Sequence, residues 1–157
     1  METQTLISEL LGTPYVYWNG NSWSRQHIEP FYSINNREID IDYVKSKGCN
    51  CAGFINLLLR NKDISIPDYN SDYPGGTFAY GIHFKWERID ETKNYPKYSL
   101  FLRPYIENSD EGHIGIIDDE GTIYDCYPNY GVRRYTNWRN NFMFEFVCTE
   151  LCEKLSE

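Results

Sequence analysis

Long apolar runs are missing from this chain. No stretch approaches the roughly 20 consecutive apolar residues of a membrane span. The opening residues, METQTLISELLGTPY, carry neither a basic leader nor the apolar core of roughly 7–15 residues that a secretory signal needs. The expectation is a chain synthesised in the cytoplasm without a signal peptide and without a membrane partner, so that action beyond a membrane requires release by lysis or packaging in a virion. Positive charge is scarce as well: fifteen Lys and Arg face twenty-three Asp and Glu, and Arg133–Arg134 is the one adjacent basic pair. A formal charge of −8 repels phosphate backbones, which sets nucleic acid aside as a partner. Metal-ligand patterns are lacking too. Cys148 and Cys152 stand four apart in FVCTELCEKL and would share a face on a helix, but two cysteines are half a zinc site, so no metal and no cofactor is expected. The five cysteines are odd in number, which excludes a complete disulfide framework and fits a reducing compartment. There is no internal repeat and no low-complexity tract.

What is present is a globular composition. Hydrophobic residues make up 41% of the chain and aromatics 17%, enough to exclude disorder despite low mean hydropathy. Fourteen tyrosines account for the difference, since they pack as rings while scoring as polar. A length of 157 residues supports one domain, 1–157, around one core. Leu6, Ile7, Leu10 and Leu11 recur at helical spacing until Gly12–Thr13–Pro14 stops the helix. The stretch 19–47 has no sustained period and reads as a long loop of unassigned role. CAGFINLLLRN, residues 51–61, is the clearest helix, with Phe54, Ile55, Leu58 and Leu59 on one side. A weaker helical signal lies in FAYGIHFKWERI. The C-terminal half changes to short β-prone runs, KYSLFLRPY, HIGIID, TIYDCY, GVRRYT and FMFEFVCT, which read as one antiparallel sheet. Helices followed by strands predict an α+β domain with the sheet packed on the Cys51 helix.

One constellation carries chemistry. A thiol becomes nucleophilic where its thiolate is favoured, and a helix N-terminus does this through free N–H groups and the macrodipole. Cys51 sits where such a helix should begin, and Gly48, Ala52 and Gly53 leave space for a substrate to approach. Taken alone, Cys51 reads equally as an ordinary buried thiol. A thiol nucleophile needs an imidazole, and the imidazole needs a third group to fix its tautomer. His113 begins a strand and Asp125 lies on the next; with a turn at 118–121 they pair to within about one position, and their even separation puts both on one face. Alone, His113 reads as a strand-end histidine and Asp125 as a surface carboxylate. Strand alternation turns Cys126 away from this face. His27 and His83 read as surface residues. Cys49, two residues before Cys51, is either an incidental neighbour or a resolving thiol.

The same residues resemble a known family. LGTPYVYWNGNS is similar to the LG-x-PYVWGG-x-S opening of NlpC-type cell-wall peptidases, GCNCAGFINLLLR to their DCSGFVxxxLR nucleophile helix, and GHIGIIDDEGTIYD to their HVGIYxGxGxxIH strand pair. The three blocks come in the family's order, and YGVRRYTNW and FEFVCT resemble its closing strands. The resemblance implies a papain-like NlpC-type fold and a cysteine peptidase in which Cys51 attacks, His113 is the general base and Asp125 holds the third polar position. It implies that Tyr15 lies near the nucleophile to polarise or seat the substrate, and that Asn50 and Ala52 flank it at the substrate and oxyanion positions, with the Cys51 N–H as oxyanion donor. The substrate it implies is a peptide or peptidoglycan fragment cut at a γ-D-glutamyl-diamino acid bond through a thioester. Typical members have Asp and Ser where this chain has Asn50 and Ala52, which removes a charge-assisted contact to a substrate amine. Two other readings stand beside this one. The same fold serves deamidases and acyltransferases acting on a host protein or lipid, although related acyltransferases generally place the histidine first. A catalytically inactive binding module is the other. The sequence sets neither scissile bond nor oligomeric state.

Overall fold

A computed structural model describes residues 1–16, 39–67, 75–136, 138–140 and 143–157. Among these residues five helices and six strands occur: α1 Thr3–Leu10, α2 Ile41–Lys47, α3 Cys51–Asn61, α4 Thr77–His83, β1 Glu87–Arg88, β2 Leu100–Arg103, β3 His113–Ile117, β4 Ile123–Tyr127, β5 Gly131–Tyr135, β6 Phe146–Cys148 and α5 Cys152–Ser156. The strands form one antiparallel sheet in the order β1-β6-β2-β3-β4-β5. This is the α+β architecture that the sequence predicts, with helices first and the sheet after. No helix among the described residues is long and apolar enough to cross a membrane.

Alternation along the strands sorts the sheet into two faces. Leu100, Leu102, Ile114, Ile116, Cys126 and Val132 share a core with Leu6, Ile7 and Leu10 of α1 and with Phe54, Ile55 and Leu58 of α3. Phe101, Ile117, Ile123 and Val147 face the other way and close a second apolar cluster with Trp138 and Phe144. Phe54, Ile55, Leu57, Leu58 and Leu59 are completely buried, each worth about 1.5–3 kcal/mol of transfer free energy, so α3 is fixed by its packing and not by propensity alone.

Four local differences from the sequence reading have physical causes. Residues 41–47, read within a long loop, form a helix: Asp40 caps it by accepting the Tyr43 N–H at 3.0 Å, and Val44 alone is buried, which leaves no visible period. Residues 19–38 of that loop, and with them His27, lie outside the described residues. Cys148 ends a strand and Cys152 begins α5, so the two are not on one helix. Glu87–Arg88, within the expected second helical piece, pairs with β6 as an edge strand. The β3–β4 connection spans Asp118–Thr122, where the Asp118 carboxylate accepts the N–H groups of Glu120 at 2.8 Å and Thr122 at 3.0 Å. This five-residue loop pairs Gly115 with Asp125, so His113 and Asp125 are diagonal neighbours offset by two and not direct partners. The offset is even, and the shared face survives.

Candidate active site

The segment that leads into α3 is held from both sides. Cys49 donates its N–H to the Pro14 carbonyl at 3.0 Å and accepts the Val16 N–H at 3.0 Å, a parallel bridge that sets Tyr15 beside Cys49. One turn earlier, Gly12 donates to the Val132 carbonyl at 2.9 Å and Val132 donates to that of Thr13 at 2.8 Å. Gly48 takes φ +83°, and a Cβ there would lie 2.5 Å from Val16 Cγ2 and 2.7 Å from the Pro14 carbonyl oxygen. That close approach, rather than room for a substrate, is what requires glycine at 48.

Asn50 is the N-cap of α3, its side-chain oxygen accepting the Gly53 N–H at 2.7 Å. With Gly53 capped, the N–H groups of Cys51 and Ala52 remain at the helix N-terminus without an intrahelical partner. Cys51 is partly exposed, whereas the Ala52 side chain is buried in the core cluster. Position 52 can therefore offer an approaching group its N–H and not its side chain. Tyr15 is partly buried and packs against the same cluster.

His113 opens β3 at the end of the sheet that meets α3. Its Nε2 lies 2.7 Å from Asp125 Oδ2, and it interacts with the Cys51 thiol as well. The imidazole is stacked on Phe144 at 5.4 Å and 17° and meets Tyr127 edge-on at 5.4 Å. Phe144 reaches this position because β3 has glycine at 115, where a Cβ would lie 3.1 Å from Phe144 Cζ. Burial disfavours the charge on His113, but hydrogen bonds to Asp125 and Cys51 and the negative charge of both outweigh it, and its pKa is pushed up to about 9. Asp125 is completely buried. Burial raises its pKa; hydrogen bonds from His113 and Arg133, with their charges, prevail and hold it below the ordinary carboxylate value.

Three residues that the sequence reading did not single out complete the surroundings. Arg133 donates from Nε to Asp125 Oδ1 at 2.9 Å and from Nη2 to Oδ2 at 3.4 Å, and the Tyr135 hydroxyl donates to Oδ2 at 3.0 Å. Phe144 is the third. For the first two a signal was available: Asp125 pairs with Arg133 across β4 and β5, so alternation places 133 and 135 on the face of Asp125. Cys126 turns to the other face, as expected. It lies with its sulfur 3.8 Å from that of Cys49 and donates to the Cys49 carbonyl at 3.1 Å. Cys49 is thus buried against Cys126, and that thiol's pKa is raised by the contact with Cys49 and by burial. His83 is exposed at the end of α4. Among the described residues no group of three or more His, Cys, Asp and Glu side chains is placed to hold a metal ion.

The geometry thus brings Cys51, His113 and Asp125 together, sets Asn50 and the Ala52 N–H at the start of the same helix, and keeps Tyr15 next to Cys49. No protein-family model matches the chain, and no curated protein does. The fold is nevertheless similar to a solved structure, the NlpC/p60 domain of the peptidoglycan hydrolase SagA, over 94% of this chain and 95% of that one, with a TM-score of 0.52 at 15% identity, a likeness of fold.

Proposed function

We propose that this chain is a cysteine hydrolase of the NlpC type, one domain that cleaves an amide bond through Cys51, His113 and Asp125. The observation that carries the reading is the chain of contacts from a helix-terminal thiol to a buried histidine to a buried carboxylate, with His113 Nε2 2.7 Å from Asp125 Oδ2. A histidine held charged at neutral pH is set to donate a proton rather than to accept one. The imidazolium therefore supports a Cys51 thiolate, which attacks the carbonyl carbon. The oxyanion so formed is met by the N–H groups of Cys51 and Ala52 at the positive end of α3. His113 then protonates the leaving amine from Nδ1, the nitrogen not engaged by Asp125, and a thioester remains. Neutral His113 takes a proton from water, whose oxygen attacks the thioester, and the acid product and thiolate are restored.

The substrate class we favour is a peptidoglycan-derived peptide, an inference from the similar fold of a peptidoglycan hydrolase domain. Asn50 uses its side-chain oxygen as a cap and brings no charge to the site, so a substrate anchored by a free amine gains less here than beside a carboxylate. The test is labelling with limiting iodoacetamide across pH 4–9 for the wild type, Cys51→Ala and His113→Ala, followed by incubation with muropeptides. Fast labelling well below pH 8 that maps to Cys51 and needs His113 is the expected result. A Cys51 that reacts no faster than an ordinary free thiol would overturn the assignment and leave a binding module.

A further inference from the structure

The third position of the site holds an aspartate that is completely buried, and a buried carboxylate persists as an anion only where donors and positive charge surround it. Four donor atoms converge on its two oxygens: His113 Nε2 at 2.7 Å, Arg133 Nε at 2.9 Å, the Tyr135 hydroxyl at 3.0 Å and Arg133 Nη2 at 3.4 Å. The guanidinium is itself confined, with its carbon 4.3 Å, 5.0 Å and 4.7 Å from the ring centroids of Tyr127, Tyr130 and Tyr135. Such a plane stacked among rings has little freedom to turn away from its partner. Donors on three sides leave the Asp125 Oδ2 lone pair toward His113 as an acceptor for Nε2.

We propose that Arg133 and Tyr135 are positioning residues that keep Asp125 ionised and aimed, and so fix His113 as the Nε2–H tautomer with Nδ1 turned to Cys51. The inference rests on the catalytic reading above and adds to it the source of the histidine's orientation. A neutral carboxyl at 125 would donate a proton to Nε2 instead of accepting one, which places the neutral imidazole's own proton on Nδ1, facing the thiol. Such a histidine cannot take a proton there, neither from Cys51 nor from the water that resolves the thioester. Among the described residues, the charged and titratable groups around His113 are Cys51 on α3, Asp125 and Tyr127 on β4, Arg133 and Tyr135 on β5, its cross-strand partner Arg103 on β2, and Asp110 in the preceding loop, which is paired with Arg103 at 2.8 Å. Of these, Asp125 alone engages Nε2, so the state of that carboxylate decides the tautomer.

The test combines two readings on wild type, Arg133→Met, Arg133→Lys and Tyr135→Phe: ring nitrogen shifts of His113 across pH 6–11 in labelled protein, and the rate of Cys51 alkylation at pH 7. The wild type should titrate to the Nε2–H tautomer. Arg133→Met should give a mixture of tautomers and alkylation slower by roughly tenfold or more. Tyr135→Phe should move both readings the same way by less, and Arg133→Lys should recover part of the loss. If Arg133→Met does not fold, Tyr135→Phe decides. Wild-type tautomer and alkylation profiles in the folded variants overturn the proposal. Absence of fast, His113-dependent alkylation in the wild type overturns the catalytic reading instead, and the nitrogen shifts still report on the clamp.

Discussion

Raising the pH from 6 to 10 should weaken the fold, and His113 should account for a measurable part of the loss. Its pKa stands at about 9 in the folded chain against 6.5 for an ordinary histidine. Because the folded value is the higher one, the stabilisation is fully present below pH 6.5, where both states hold the proton. It is lost between 6.5 and 9, where only the folded state does. At 1.36 kcal/mol per pH unit the interval is worth about 3 kcal/mol. His113 is 3% exposed, so solvent screening takes little from this figure. Total stability for a domain is about 5–15 kcal/mol, which makes the effect a large fraction of it. The assay is urea unfolding at unit pH steps for chains with His113 and with His113→Gln, both carrying Cys51→Ala, because a Cys51 thiolate in the folded state would offset the His113 proton in the balance. The substitution shifts the curve by a constant packing term, and the difference between the two curves isolates the titration. The expected result is a His113 curve that falls toward the His113→Gln curve by up to about 3 kcal/mol between pH 6 and 10, less the share that Cys51 contributes to the shift. Parallel curves, or a gap that widens with pH, would refute the reasoning.

Asp125→Ala should cost about 3–5 kcal/mol in urea unfolding at pH 7, since it strands a buried histidine and an arginine together. That contribution has the opposite pH sense from His113: present above the ordinary carboxylate pKa and lost as pH falls through the depressed folded value. Asn50→Ala should lower stability by about 1 kcal/mol through loss of the cap on Gly53, while Asn50→Asp should stay within a few tenths, both read by thermal unfolding. Gly115→Ala should slow Cys51 alkylation, since the added methyl meets Phe144 Cζ and the Tyr124 carbonyl oxygen, each at 3.1 Å, and displaces the ring stacked on His113. Equal labelling rates would show that the stack does not orient the imidazole.

How far the sequence carried the reading depended on the range of the cause. Helix α3 was legible to the residue, because Cys51–Asn61 keeps its period over three turns; the cap that Asn50 supplies came from the structure. The strands from β2 to β6 were visible as β-prone runs between turn residues, but their register was not. It depends on Asp118, whose carboxylate reaches two N–H groups ahead in its own loop and adds a residue to the expected turn. The two-residue β1 and the seven-residue α2 each bury too little to leave a periodic trace. Within the site, Cys51, His113 and Asp125 were each ambiguous alone and meaningful in order. Phe144 could not have been found, because its place over His113 is set by a glycine 29 positions earlier and by tertiary packing.

The bracketing of residues 12–16 has a consequence for how the protein comes into being. The turn that seats Cys49, and through it the start of α3, leans on Val132, about 80 residues after the thiol it serves. A ribosome delivers Cys51 long before that partner. Until β5 has emerged and docked, the nascent chain carries the thiol without the seat that aims it, and Asp125 without Arg133. A chain terminated before residue 132 lacks both the seat of Cys49 and the Arg133 partner of Asp125, and on the proposed reading it should show no fast Cys51 alkylation, even though it contains Cys51, His113 and Asp125.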